Sequence, residues 1–202
     1  MLIAVFVSCT KEHDPAPPAG GQQPYGTWLV DTNELSGTTI RDVFPVVISP
    51  DYLPVGEVDF MQPQWPVIAL KLGGQVFVYP HVSMSVEVVN DYFAGIYFAV
   101  TWCPITGSSM VWNRLVGGDT LSFAASGILY RENLVPYDLE TRSLWSQMKV
   151  QGIHGKFAGT DPEILPSIET TWKTITEYYP DALVFEDVFG PSLKNGDGPD
   201  YQ

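Results

Sequence analysis

The stretch GIYFAVTWCP, Gly95 to Pro104, restricts the fold more than any other part of the chain. From Ile96 to Cys103 only Thr101 interrupts an apolar run of strand length. A strand written this way is buried on both faces, so other layers must cover it above and below. Pro104 has no N–H to give to a ladder, so pairing ends near Cys103.

The segments around it are also β-rich. VIALKLGGQVFVYP is a hairpin about Gly73-Gly74, a pair suited to the positive φ of a tight turn. SMVWNRLV and TLSFAAS read as a second hairpin about Gly117-Gly118-Asp119, with Leu121, Phe123 and Ala125 on one face of its second arm. TWLVD is a possible strand, and DALVFEDV is a last one. SVEVVNDYFAG is a strand or a short helix. RDVFPVVISPDYLPVGEVDFMQPQWP, rich in Pro, reads as an extended crossing of the surface, and GILYRENLVPYDLETRSLWSQ as a loop. TTWKTITEYYP is a helix with Trp172, Ile175 and Tyr179 on one face, stopped by Pro180. The expected fold is mainly β, barrel or sandwich-like, with one or two short α-helices; α+β is the alternative.

A chain of 202 residues suits one sizeable domain. That domain is expected over 26–190, between a linker segment, 1–25, and a Gly- and Pro-rich tail, 191–202, expected to be mobile. The net charge is -13 and the ten basic residues form no run, which argues against nucleic-acid partners.

The opening MLIAVFVSC is an apolar run stopping at Ser8-Cys9, followed by polar, Pro-rich sequence. It resembles the end of a bacterial lipoprotein signal, in which Cys9 would receive lipid. Phe6 and the missing basic start depart from that pattern. The expected partner is then a membrane, reached through the lipid. The expected location is the bacterial cell envelope, periplasmic or surface-exposed. With Cys9 so used, Cys103 has no partner within the chain, and an unpaired thiol in an oxidising compartment is either buried and inert or kept for use.

YPHVSMSVEVVND, VTWCPITGSS, SGILYRENLVPYDLETRSLWSQ and TTWKTITEYYPDALVF occur in one order. As an ordered set over roughly Arg41 to Phe185 they resemble the bacterial and archaeal family known as domain of unknown function 3179. The resemblance implies an envelope or membrane-attached domain of unassigned activity and brings no established catalytic residue. This chain carries Thr106 where many members have a second Cys, so a dithiol pair is impossible here. It carries Val86 where a His is usual before Glu87.

The residues themselves suggest three readings. In the first, a small ligand or a partner binds in a polar and aromatic pocket near Cys103. Asn90, Asp91, Thr106, Ser108, Tyr130, Asp138, Arg142, Trp145, Ser146 and Gln147 are its candidate lining. In the second, Cys103 is a nucleophile for acyl or thiol transfer, with His154 or His81 as base and Glu87 as the orienting acid. In the third, Cys103, a His, and Met84, Met110 or Met148 bind copper. No zinc-type spacing occurs, and no motif identifies a cofactor. Each residue also has a plain structural reading: Cys103 as a small core side chain, Asn90-Asp91 as a turn, and Arg142 with a carboxylate as a loop clasp anchored by Trp145.

Overall fold

A computed structural model describes residues 26–37 and 44–186. Cys9, the 1–25 segment and the 191–202 tail lie outside the described residues.

Among the described residues seventeen strands follow one another. They are β1 (Leu35–Gly37), β2 (Val47–Ile48), β3 (Tyr52–Pro54), β4 (Pro66–Leu72), β5 (Gln75–Pro80), β6 (Val88–Phe93), β7 (Ile96–Cys103), β8 (Ser108–Asn113), β9 (Leu115–Val116), β10 (Asp119–Thr120), β11 (Phe123–Tyr130), β12 (Asn133–Asp138), β13 (Leu144–Ser146), β14 (Gln151–His154), β15 (Ile164–Leu165), β16 (Ser167–Thr171) and β17 (Leu183–Phe185). Among the same residues one helix, α1 (Trp172–Tyr178), sits between the last two of these strands, and short 3-10 turns occur at Thr32–Glu34, Val55–Glu57 and His81–Ser83.

These strands build three five-stranded sheets and a small β10-β9 ribbon. The central sheet runs β15-β8-β7-β6-β2, one flanking sheet β1-β11-β12-β13-β14, and the other β16-β4-β5-β17-β3. Pairing is antiparallel except for β2 with β6 and β5 with β17. The fold is mainly β and sandwich-like, without a closed barrel.

Strand β7 explains the layering. Successive side chains leave a strand on opposite faces. Phe98, Val100 and Trp102 therefore enter one core with Ile68 and Leu70 of β4 and Phe77 and Tyr79 of β5. Ala99 and Cys103 enter the other with Phe123 and Ala125 of β11, Leu134 of β12 and Trp145 of β13. Both faces are covered, as the unbroken apolar run requires. The second core is aromatic at its centre: Phe123 stands edge-on to Trp112 and to Trp145, with ring centroids 5.4 and 5.6 Å apart. The β4 sheet has a further apolar face, where Val67, Ala69, Val76 and Val78 pack under Trp172 and Ile175 of α1. The Thr171 hydroxyl caps that helix by accepting from the Thr174 N–H.

Polar side chains fix how the central sheet sits on the β11 sheet. Asn90 Nδ2 donates to the Phe123 carbonyl (2.8 Å) and the Val47 carbonyl (3.0 Å), and its Oδ1 accepts from the Phe123 N–H (2.7 Å). A second link joins the sheets near the end of β7. Gln147 Nε2 donates to Thr101 Oγ1 (2.9 Å), while Asn133 Nδ2 donates to Gln147 Oε1 (2.8 Å) and Thr106 Oγ1 (2.9 Å). Ser108 Oγ donates to the same Gln147 oxygen (3.0 Å). Such groups are tolerated inside because each finds partners.

Several segments differ from their sequence reading. TWLVD is not a strand; a 3-10 turn at Thr32–Glu34 leads into β1 instead. SVEVVNDYFAG is the strand β6. The expected second hairpin is reduced to the β9-β10 ribbon, because its long arms, β8 and β11, separate into different sheets. GILYRENLVPYDLETRSLWSQ is not a loop but most of β11, β12 and β13. Its β11-β12 turn, Arg131-Glu132, has φ of 49° and 62°, a conformation normally marked by Gly or Asn. Pro136 is admitted to β12 opposite Ala125, where the register shifts before Ile128; at such a bulge a missing N–H does little harm.

Candidate functional site

The segment 81–87 carries the chain from the β4 sheet to the central sheet across one end of the sandwich. Two turns shape it: the Met84 N–H donates to the His81 carbonyl (3.1 Å), and the Glu87 N–H to the Met84 carbonyl (3.0 Å). The Trp102 N–H then donates to the Glu87 carbonyl (2.8 Å), tying the crossover to the end of β7. Glu87 has φ of 61°, an unusual conformation for a side-chain-bearing residue.

A pocket of about 370 Å³ opens at this crossover, lined by His81, Val82, Met84, Ser85, Glu87, Trp102, Pro104 and Gly107. Its size lies within the range of small-molecule sites. The His81 ring lies against the Trp102 indole, centroids 3.8 Å apart. His81 is 8% exposed, and its Nε2 has no hydrogen-bond partner. That nitrogen stands 3.8 Å from Glu169 Oε2 of β16, while Glu169 Oε1 accepts from the Ser109 hydroxyl (2.5 Å). Burial lowers the His81 pKa, and the Glu169 charge opposes the shift only in part. The imidazole is therefore held neutral.

Burial also pushes the Glu87 carboxyl up to about 7, and no hydrogen bond or charged neighbour contributes to that shift. The pocket thus offers a carboxyl poised between its two forms, a neutral imidazole, and apolar walls from Val82, Met84, Trp102 and Pro104.

The structure brings Glu87 and His81 together here, with Trp102, but not the other proposed groups. Cys103 is adjacent to Trp102 in sequence and so faces the opposite core. It is 1% exposed, and its Sγ lies 3.8 Å from the Glu132 carbonyl. His154, in β14, stacks on Trp28 with centroids 4.3 Å apart and approaches the Thr27 carbonyl at 3.4 Å through Nδ1. Met84 packs in the core on the β4 side, Met110 against the core on the β11 side, and Met148 is exposed. Among the described residues no group of three or more His, Cys, Asp or Glu is placed to hold a metal ion.

Most of the candidate lining residues occupy structural positions. Asn90, Thr106, Ser108 and Gln147 form the links between sheets described above. Asp91 accepts from the Tyr52 hydroxyl (2.6 Å) and the Tyr92 N–H (2.7 Å), and Tyr52 also bonds Tyr79 (2.8 Å). Asp138 Oδ2 accepts from Trp145 Nε1 (3.0 Å), and its Oδ1 accepts from the Thr141 N–H (2.6 Å), so it fixes the turn into β13. Arg142 lies over the Tyr137 ring, 5.1 Å from its centre. Ser146 Oγ accepts from the Lys149 N–H (3.4 Å), and the Tyr130 hydroxyl donates to Glu34 (3.1 Å).

Trp102 was not singled out by sequence, although one signal for it existed. In TWCP the indole and the thiol are neighbours on a strand, so they must serve different faces. Glu169, in the SIETT stretch, had no such signal, because only the long-range pairing of β16 with β4, next to β5, brings it to His81.

A family model described as "Protein of unknown function (DUF3179)" matches residues 41–202. No curated protein and no solved structure matches the chain.

Proposed function

For a chain that belongs to the DUF3179 family, we propose a role as a lipid-anchored protein of the bacterial cell envelope that holds a small ligand in the pocket at His81, Glu87 and Trp102. The anchor is Cys9, in its apolar run and Ser-Cys junction, and the polar stretch after it tethers the domain to the membrane surface. One observation carries the ligand reading: a half-buried carboxyl without a partner to explain its shift and a buried imidazole with an unpartnered nitrogen line the same open pocket. Polar groups are rarely left this way inside a fold unless something else completes them. The nucleophilic role for Cys103 draws no comparable support, since its sulfur is buried beside a carbonyl that does not activate a thiol.

The test is a screen of small fragments (amines, alcohols, carboxylates and flat aromatics) followed by ¹H–¹⁵N and aromatic NMR spectra of the folded domain. The expected result is that binders perturb the Trp102 indole and the His81 ring while the Trp112 and Trp145 indoles stay in place. Binders that gather elsewhere, or a screen without any binder at these residues, would overturn the assignment.

A further inference from the structure

The pocket's chemistry is one-sided, and this narrows what can fill it. Glu87 lines it and Glu169 stands behind His81, while no Lys or Arg is among the lining residues. The remaining wall is mostly apolar, from Val82, Met84, Trp102 and Pro104, with the uncharged Ser85 hydroxyl and Gly107 completing it. A bare metal ion is poorly matched, because among the described residues no three acidic, His or Cys ligands converge. An anion would meet the Glu87 carboxylate with no counter-charge. A wholly neutral ligand would leave an ionised carboxylate partly desolvated and unpaired, which is costly. His81 supplies the independent observation. Its ring is more than nine-tenths buried, lines the pocket, and has an Nε2 without a hydrogen-bond partner. Nε2 faces Glu169 Oε2 at 3.8 Å, so that carboxylate favours the N–H on Nε2 and leaves the lone pair of the neutral ring on Nδ1 to accept from an N–H donor.

We propose that the ligand is a small organic ammonium, its charge against the Glu87 carboxylate, its N–H groups toward His81, and its apolar body along Val82, Met84 and Trp102. This rests on the pocket being a ligand site, and it adds the class of ligand. Carboxylate and indole together favour a cation on an apolar stem, because the indole ring attracts positive charge and also shields the stem from water.

The experiment compares three probes of one shape: phenethylamine, phenethyl alcohol and hydrocinnamate. Each is titrated into the folded domain at about pH 8, where Glu87 is ionised, and the Trp102 and His81 resonances are followed. The amine should bind roughly tenfold or more tighter than the alcohol, and hydrocinnamate should bind weakest. Glu87→Gln should abolish the preference, so that amine and alcohol bind alike, with the Trp112 and Trp145 indoles reporting an intact fold. Equal binding of amine and alcohol to the wild type, or a preference that survives in E87Q, refutes the ammonium assignment and leaves the pocket standing. If no probe reaches Trp102, the pocket assignment and the ammonium fall together.

A second reading needs no variant. Lowering the pH to about 5.5 protonates Glu87 and should weaken the amine roughly tenfold while the alcohol changes little. The titratable groups at the site are Glu87, His81 from the crossover and Glu169 from β16. His81 protonation would act in the same direction, so its ring is followed in the same spectra. An amine affinity that is flat across this range refutes the proposal.

Discussion

Glu87→Gln should stabilise the protein above about pH 7 and leave it unchanged below about pH 4. In the folded chain burial moves this carboxyl from its ordinary 4.5 up to about 7. Below 4.5 the group is protonated whether the chain is folded or not, and the folded state carries no electrostatic penalty. As the pH rises through 4.5 the unfolded chain releases its proton while the folded chain keeps it, so relative stability declines until the folded carboxyl also ionises near 7. A shift of that size is worth at most about 3 kcal/mol. Glu87 retains contact with solvent through the pocket mouth, which screens the charge and reduces the effect to about 1–2 kcal/mol. Gln has the same shape and no charge, and Glu87 brings no hydrogen bond to its shifted carboxyl that the change would break. Urea denaturation of wild type and E87Q, at intervals between about pH 4 and 8.5, isolates this one group, because every other acid titrates equally in both. The two stability curves should coincide at the acid end and separate upward for E87Q across the interval from 4.5 to about 7. Parallel curves, or a variant less stable at high pH, would refute the claim that this carboxyl is held in dry surroundings.

Three other outcomes follow from the same geometry. Cys103, buried and facing the β11 core, should react with a thiol reagent only as fast as the fold opens, so labelling should accelerate with urea in step with unfolding; rapid labelling of the native protein would contradict its placement. Asn90→Ala removes two hydrogen bonds to Phe123 of the β11 sheet and one to Val47 of its own sheet, and strands the buried Phe123 N–H, which should cost about 2–4 kcal/mol by chemical denaturation; a loss under about 1 kcal/mol would mean the link is dispensable. Glu169→Gln removes the charge that opposes burial at His81, so the imidazole should protonate at still lower pH than in wild type, as read from its ring carbon and proton shifts; an upward or absent change would contradict the pairing.

Local patterns were legible wherever one strand's own side chains decide the outcome. The two-faced burial of β7, its end at Pro104, the Gly73-Gly74 hairpin and the Trp172–Ile175 face of α1 all follow from spacing and turn chemistry. The β11-β12-β13 region was not legible, because Arg131-Glu132 adopts a turn that its side chains do not advertise and Pro136 hides inside a strand at a bulge. The second hairpin failed for a different reason: no local signal says that two arms of a β-ribbon will part and join different sheets. The same limit governs the site. Glu87 and His81 stand out as titratable residues in a short stretch. That they meet Trp102, while the thiol beside Trp102 turns away, depends on which sheet covers which face of β7. Asn90, which reads as a turn residue, instead bridges two sheets, because Val47 and Phe123 reach it only in the folded stack.

The account depends above all on Glu87 being an unsatisfied, partly dry carboxyl at the pocket. The most direct measurement is the ¹³C titration of its side-chain carboxyl in the folded protein. A midpoint near 7 is the expected result; a midpoint at the ordinary 4.5 would show a fully hydrated surface acid and remove the basis for a ligand there.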